Sequence, residues 1–103
     1  MNADEATLVW QTKPGHPFET VTTHGSVLLM HETIAGLRAR PEADRYRAAL
    51  VVCQQDDDGY LTGAEITVYD LADPIPMGTR TITVDGWFDR EMAARDAMAE
   101  LDE

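Results

Sequence analysis

The stretch QQDDDGYLTGAE, residues 54–65, concentrates oxygen atoms that could bind a hard cation. Three consecutive aspartates, residues 56–58, are followed by Gly59, and Glu65 comes six residues after that glycine. Carboxylate, carbonyl and hydroxyl oxygens are the ligands that Ca²⁺ prefers. The same residues suit the tip of a β-hairpin, because Asp-Gly tolerates positive φ and charged tips deter pairing between strand edges. The stretch is therefore compatible with two structures, a cation-binding loop and a solvated turn.

The stretch resembles the twelve-residue calcium loop of EF-hand proteins, with Gly59 at the sixth position. The oxygen ligands that this resemblance implies come from Asp56, Asp58, the Tyr60 carbonyl, Thr62 and Glu65. Gln54 stands at the first position, where the family has aspartate, and the residues EITVYD that follow favour a strand where the family has a helix. We therefore predict a hairpin tip, and a calcium-binding module over residues 54–65 is the alternative.

Residue types that serve zinc binding or nucleophilic catalysis occur in the chain, but their spacing does not suit either. His16, His24 and His31 are eight and seven residues apart, whereas structural zinc sites use closer pairs. Ser26 is the only serine and has no G-x-S-x-G setting, and Cys53 lies in an apolar run where burial keeps a thiol protonated. We predict no catalytic residues, no metal site and no cofactor. A small enzyme or ligand-binding domain without a recognisable motif is a further alternative.

The charge of the chain is strongly acidic and unevenly distributed. Nineteen acids against eight Lys and Arg give a net charge of −11. Residues 1–55 hold six acids and five bases, a net of −1, and residues 56–103 hold thirteen acids and three bases, a net of −10. Such a surface repels nucleic acid phosphates and anionic membranes. It favours a basic protein partner, or serves only solubility.

We therefore expect a small, non-enzymatic protein that binds a basic protein partner, in the manner of inhibitors, immunity proteins or accessory subunits. The mechanism would be electrostatic steering followed by docking of a mixed apolar and acidic face. The acids expected to contact the partner lie in the 54–65 stretch and near the C-terminus: Asp56, Asp57, Asp58, Asp89, Asp96 and Glu100. The sequence also allows a homo-oligomer.

Length and composition predict one domain over residues 1–103 with a frayed segment at residues 1–5. No apolar run approaches the roughly 20 residues that span a bilayer. The first ten residues, MNADEATLVW, carry acids where a secretory signal has positive charge, and a lone Cys53 allows no internal disulfide. We expect a cytoplasmic location.

The hydrophobic pattern predicts an α+β fold with about five strands in hairpin-rich, antiparallel arrangement. The predicted strands cover Ala6–Thr12, Phe18–His24, Tyr46–Gln54, Tyr60–Asp70 and Thr79–Val84. Pro14 and Gly15 suit the centre of a type II turn between the first two strands.

Two segments have helical patterns. The C-terminal residues DREMAARDAMAELDE predict a helix that packs on one face of the sheet through Ala94, Ala97, Met98 and Leu101, with Trp87 at its start and Asp85 or Asp89 as cap. Residues 26–37 fit a second, short helix with Ser26 as N-cap, and a buried strand is the alternative for them.

Overall fold

The computed structural model describes residues 5–84 and 89–100. Its elements follow one another in this order: β1 (Glu5–Thr12), β2 (Thr20–Ser26), α1 (Val27–Arg38), a 3-10 turn (Ala43–Arg45), β3 (Tyr46–Gln55), β4 (Leu61–Asp70), β5 (Gly78–Thr83) and α2 (Arg90–Glu100). The predicted α+β fold, with a five-stranded antiparallel sheet, a C-terminal helix and a second short helix, is confirmed. The predicted frayed segment at residues 1–5 is wrong for Glu5, which is the first residue of β1, and residues 1–4 lie outside the described residues.

The five strands form one sheet in the order β2-β1-β3-β4-β5, and every neighbouring pair is antiparallel. β1 comes first in the chain but lies between β2 and β3. The connection from β2 to β3 therefore passes over β1, and α1 lies in that connection. β2 and β5 are the two edge strands of the sheet.

Both faces of the sheet carry a helix, because side chains alternate along each strand and both sets are apolar at the centre. We call the two sides the α1 face and the α2 face. The buried core of the α1 face comprises mainly Leu8, Met30, Ile34, Leu37, Ala48 and Leu50. The buried core of the α2 face comprises mainly Val9, Val51, Ile66, Val68, Ala94, Ala97 and Met98.

Residues 27–38 form a helix, so the alternative of a buried strand is wrong. The side chain of Ser26 accepts a hydrogen bond from the Leu29 N–H at 3.1 Å and caps the first turn. Leu28 and Leu29, which do not fit the buried stripe, are 71% and 49% exposed. The segment is thus amphipathic rather than apolar all round.

The second helix, α2, begins where the sequence predicts. The Met92 N–H donates to the Asp89 carboxylate at 3.1 Å, so Asp89 is the residue that caps the first turn. Ala94, Ala97 and Met98 are buried, as predicted. Asp85, Trp87 and Leu101 lie outside the described residues.

Candidate functional site: an acidic groove between α2 and β5

The aspartates at residues 56–58 form the turn between β3 and β4, so the predicted hairpin is confirmed. The Gly59 N–H donates to the Asp56 carbonyl at 3.0 Å, and Gly59 adopts a φ of 85°, which favours glycine. One carboxylate oxygen of Asp56 accepts the N–H groups of Asp58 and Tyr60 at 3.0 and 2.9 Å. Asp56 therefore holds the turn together, whereas Asp57 and Asp58 direct exposed carboxylates to solvent.

The residues that an EF-hand loop would use do not surround a common point here. Thr62 and Glu65 belong to β4, where Glu65 pairs with Val52 and Thr81, and the Thr62 hydroxyl donates to the Gln54 carbonyl at 3.4 Å. Within residues 5–84 and 89–100, no three His, Cys, Asp or Glu side chains lie close enough to hold a metal ion. The likeness to a calcium loop is confined to the order of residues.

Three of the predicted acids form one stripe along α2. Asp96 and Glu100 follow Asp89 by seven and eleven residues, which places all three on one side of the helix. At 1.5 Å per residue the stripe is about 16 Å long. The side chain of Ala93 lies on the same side and is half-buried against the sheet. The stripe therefore lies where α2 meets the sheet.

A shallow groove lies between this stripe and β5. One part, a cavity of about 230 Å³, is lined by Gly78, Thr79, Arg80, Ala97 and Glu100. A second part of about 130 Å³ is lined by Ile66, Arg80, Ile82, Ala93 and Asp96. The floor is apolar, one wall is acidic and Arg80 is common to both parts. The Arg80 guanidinium pairs with the Glu100 carboxylate across the groove.

The other wall of the groove is the open edge of β5. The Val84 N–H donates to the Thr62 carbonyl at 3.0 Å. In an antiparallel ladder hydrogen-bonded and non-hydrogen-bonded pairs alternate, so the N–H groups of Thr79, Thr81 and Thr83 point away from β4. These N–H groups can donate hydrogen bonds to a further strand, and that strand would run beside the acidic stripe.

The turn and the stripe lie at neighbouring positions. Arg90, at the start of α2, forms an ion pair with Glu5 at 3.6 Å and interacts with Cys53, which is three residues before Asp56. The turn at residues 56–58 therefore extends beyond the same end of the sheet at which Asp89 begins α2. Burial raises the pKa of the Cys53 thiol, an effect that Arg90 partly offsets, and a protonated thiol does not act as a nucleophile.

Most basic side chains are occupied by contacts within the protein. Four ion pairs account for half of them: Lys13–Asp70, Arg80–Glu100, Arg90–Glu5 and Arg95–Glu91. Arg38 donates to the Asp73 and Pro74 carbonyls and lies over the Tyr69 ring, and the buried Arg47 donates to the Met98 carbonyl. In the described part of the chain, the carboxylates of Asp57, Asp58 and Asp96 have no hydrogen-bond or ion-pair partner.

The structure thus places Asp96 and Glu100 in the groove, Asp89 at the start of the same helix, and Asp56, Asp57 and Asp58 beyond the end of the sheet at which α2 begins. Arg80, Ile82 and the β5 edge were not predicted as parts of the site. The alternation in TRTITV assigns Arg80 and Ile82 to one face of a strand, but nothing in that pattern indicates that the face adjoins α2.

Comparison of the chain with protein-family models, with curated proteins and with solved structures finds no match in any of the three. In the described part of the chain, neither helix combines the length and the apolar character needed to cross a membrane.

Proposed function

We propose that this protein is a small, non-enzymatic binding protein that docks a basic protein segment in the groove between α2 and β5. The observation that carries the proposal is the imbalance of charge along that groove. Its apolar floor is bordered by Asp96 and Glu100, and Arg80, the one base among its described lining residues, is already paired with Glu100. A basic side chain that enters beside Asp96 would meet a carboxylate with no partner in the described part of the chain.

The β5 edge gives the proposed partner a defined way to bind. An extended segment that adds to β5 would hydrogen-bond to the outward N–H groups of Thr79, Thr81 and Thr83. Because side chains alternate along a strand, every second residue of the segment would project toward the α2 face. Lys or Arg at those positions would reach Asp96 and Glu100, while a small apolar residue would cover Ile82. The partner is therefore expected to carry alternating basic residues in an extended segment.

The acids contribute more to the rate of association than to the strength of the final complex. Charges on the rim of an interface steer the encounter and are screened by salt. Asp57 and Asp58, beyond the end of the sheet at which α2 begins, would extend the attractive field beyond the contact surface. The proposal places this encounter in the cytoplasm, where the free thiol of Cys53 would stay reduced.

Charge reversal tests the proposal. The test variant reverses three acids whose carboxylates have no partner in the described part of the chain: Asp57→Lys, Asp58→Lys and Asp96→Lys. The control variant makes the same change in net charge at exposed acids elsewhere: Glu32→Lys, Asp44→Lys and Glu65→Lys. Proteins that co-purify with the wild type would be identified and their association rates measured at low and high salt.

The expected result is a basic partner whose association rate falls about ten- to a hundredfold for the test variant at low salt and much less for the control. High salt should remove most of that difference. Equal effects of the two variants would show that the groove is not the site. Recovery of no basic partner at low salt would indicate that the acidity serves solubility alone.

A further inference from the structure

Residues 20–31 form the longest run of the chain without Asp, Glu, Lys or Arg, since Glu19 precedes it and Glu32 follows it. The run comprises the edge strand β2 and the start of α1. In a chain with a net charge of −11, two copies approach most favourably where acids are absent, because like charges at an interface are costly. This uncharged run is therefore the segment of the chain most compatible with a second copy.

The β2 edge also lacks the features that keep strand edges apart. Edge strands of monomeric proteins are commonly protected by charged residues, proline or a β-bulge. β2 has the sequence TVTTHGS, and its register with β1 is continuous from Glu5↔Ser26 to Gln11↔Thr20. The β5 edge differs, because it carries Arg80 and lies beside the acidic stripe.

The free backbone groups of β2 can be assigned from the ladder with β1. The Thr12 N–H donates to the Glu19 carbonyl at 3.0 Å, so Thr12 and Glu19 form a hydrogen-bonded pair. Alternation along the antiparallel ladder then points the backbone groups of Val21, Thr23 and Gly25 toward β1. Those of the residues between them, Thr20, Thr22, His24 and Ser26, point outward from the sheet.

We propose that β2 pairs antiparallel with β2 of a second copy, around a two-fold axis at Thr23, to form a continuous ten-stranded sheet. In this register Thr22 of each copy lies opposite His24 of the other, and the outward groups form about six backbone hydrogen bonds. At one hydrogen bond per 100–200 Å² this corresponds to a total interface of about 600–1,200 Å². An interface of that size belongs to the weak class, so the dimer is expected to form in the micromolar range.

The same register brings the exposed apolar side chains of this segment together. Val21 of one copy lies opposite Gly25 of the other on the α1 face. Leu29 covers Gly25 so closely that its Cδ2 lies 2.8 Å from where a Cβ would stand. Leu29 of each copy would therefore contact Val21 of the other, and Val21 and Leu29 are 36% and 49% exposed in the single chain.

The helices leave room for this arrangement. α1 packs over β1 and β2. With strands about 4.8 Å apart, its axis lies roughly 5–7 Å from the proposed two-fold axis, so the two copies of α1 would be about 10–14 Å apart. Packed helices approach to about 8–10 Å, so the pair would not clash, and leucine side chains would fill the space between them.

Sedimentation velocity between about 10 and 500 µM protein tests the proposal, because a dissociation constant in this range gives a concentration-dependent mass. Thr22→Pro removes an outward N–H without removing a bond to β1, and Leu29→Glu places two like charges at the junction. Each is expected to weaken the dimer at least tenfold. The matched control is Met92→Glu, which changes another exposed apolar helix residue on the opposite face of the sheet.

Amide hydrogen exchange of the wild type supplies a test that does not depend on any variant folding. Protection of the Thr22 and His24 amides should increase with protein concentration, while the Thr81 and Thr83 amides of the β5 edge should not change. A wild-type monomer throughout the concentration range would overturn the proposal. So would a dimer that Met92→Glu disrupts as much as Leu29→Glu, or one that protects β5 instead of β2. The proposal does not rest on the α2–β5 groove, and its test needs no basic partner.

Discussion

The same substitution, glycine to alanine, should have opposite effects on stability at Gly63 and at Gly36. Gly63 lies in β4, paired with Gln54 on one side and Thr83 on the other. A Cβ at residue 63 would lie 2.7 Å from the Ile82 carbonyl oxygen and 3.0 Å from Oε1 of Gln54. The first of these is a backbone atom in a hydrogen-bonded strand, so it cannot move without disturbing the ladder. Gly36 lies in α1, and a Cβ there would meet nothing within 4 Å.

The size of each change in the free energy of unfolding can be taken from similar substitutions in other proteins. Adding a methyl group to a filled site destabilises the folded state by about 1–3 kcal/mol. Replacing glycine by alanine also reduces the conformational entropy of the unfolded chain, which stabilises the fold by about 0.4–1 kcal/mol. Gly63→Ala should therefore lower the free energy of unfolding by about 1–2 kcal/mol. Gly36→Ala should raise it by up to about 1 kcal/mol, because alanine is the better helix former. For a domain of this size 1 kcal/mol moves Tm by about 4–8 °C, so the two variants should differ clearly.

Urea unfolding followed by circular dichroism, at a protein concentration low enough to keep the chain monomeric, would measure both changes. Equal m-values for wild type and variants would confirm that only stability has changed. A stabilising effect of Gly63→Ala would show that β5 does not approach β4 as closely as described. Because that approach also sets the position of Arg80 and Ile82, the α2–β5 groove would then have to be reconsidered.

Three further predictions concern single side chains. Partial burial alone would raise the pKa of Asp70, but hydrogen bonds from the Lys13 ammonium and the neighbouring backbone together lower that pKa below its ordinary value. The ionised Asp70 carboxylate therefore stabilises the folded state at pH values above its unfolded pKa. In urea titrations, the extra stability of the wild type over Asp70→Asn should disappear as the pH falls from about 5 to about 2. Asp89→Ala removes the cap of α2 and should cost about 1 kcal/mol, with faster exchange of the Met92 amide, whereas Asp89→Asn should retain most of the stability. Met98→Ala leaves a cavity beneath α2 and should cost about 2–5 kcal/mol, measured by thermal unfolding, and a smaller loss would mean that α2 packs loosely.

Local patterns were sufficient to predict most elements. The alternation in TRTITV predicted β5, the Asp-Gly pair predicted the β3–β4 turn, and Ser26 with a helical apolar stripe predicted α1. The predicted start of the second strand at Phe18 was two residues early, because the Thr12 side chain bonds to the Pro17 carbonyl and the Glu19 N–H and forms a corner there. Each of these features depends on neighbours within a few residues.

The arrangement of the elements could not be predicted in this way. Nothing near β1 in the sequence indicates that it lies between β2 and β3, because both faces of β1 are apolar and its pairing with β3 joins residues from different parts of the chain. For the same reason the acids of α2 were predicted as a group, but their position beside Arg80 and the β5 edge was not. Whether these acids bind a partner remains a prediction.

The central position of β1 has a consequence for the way the chain folds. The β1–β2 hairpin and the β3–β4–β5 meander are each built from neighbouring strands. The β1–β3 ladder and the two helices join them, with side-chain contacts such as Lys13–Asp70. Val9 and Ala49 are paired in that ladder although they are 40 residues apart in the sequence. During synthesis β1 emerges before β3 and leaves its apolar faces and one edge unpaired until β3 is made. We expect closing this long loop to be the slow step, because folding rates fall with the sequence separation of contacts. We expect substitutions in the β1–β3 ladder to slow folding, and substitutions at the β2 and β5 edges to act mainly on unfolding.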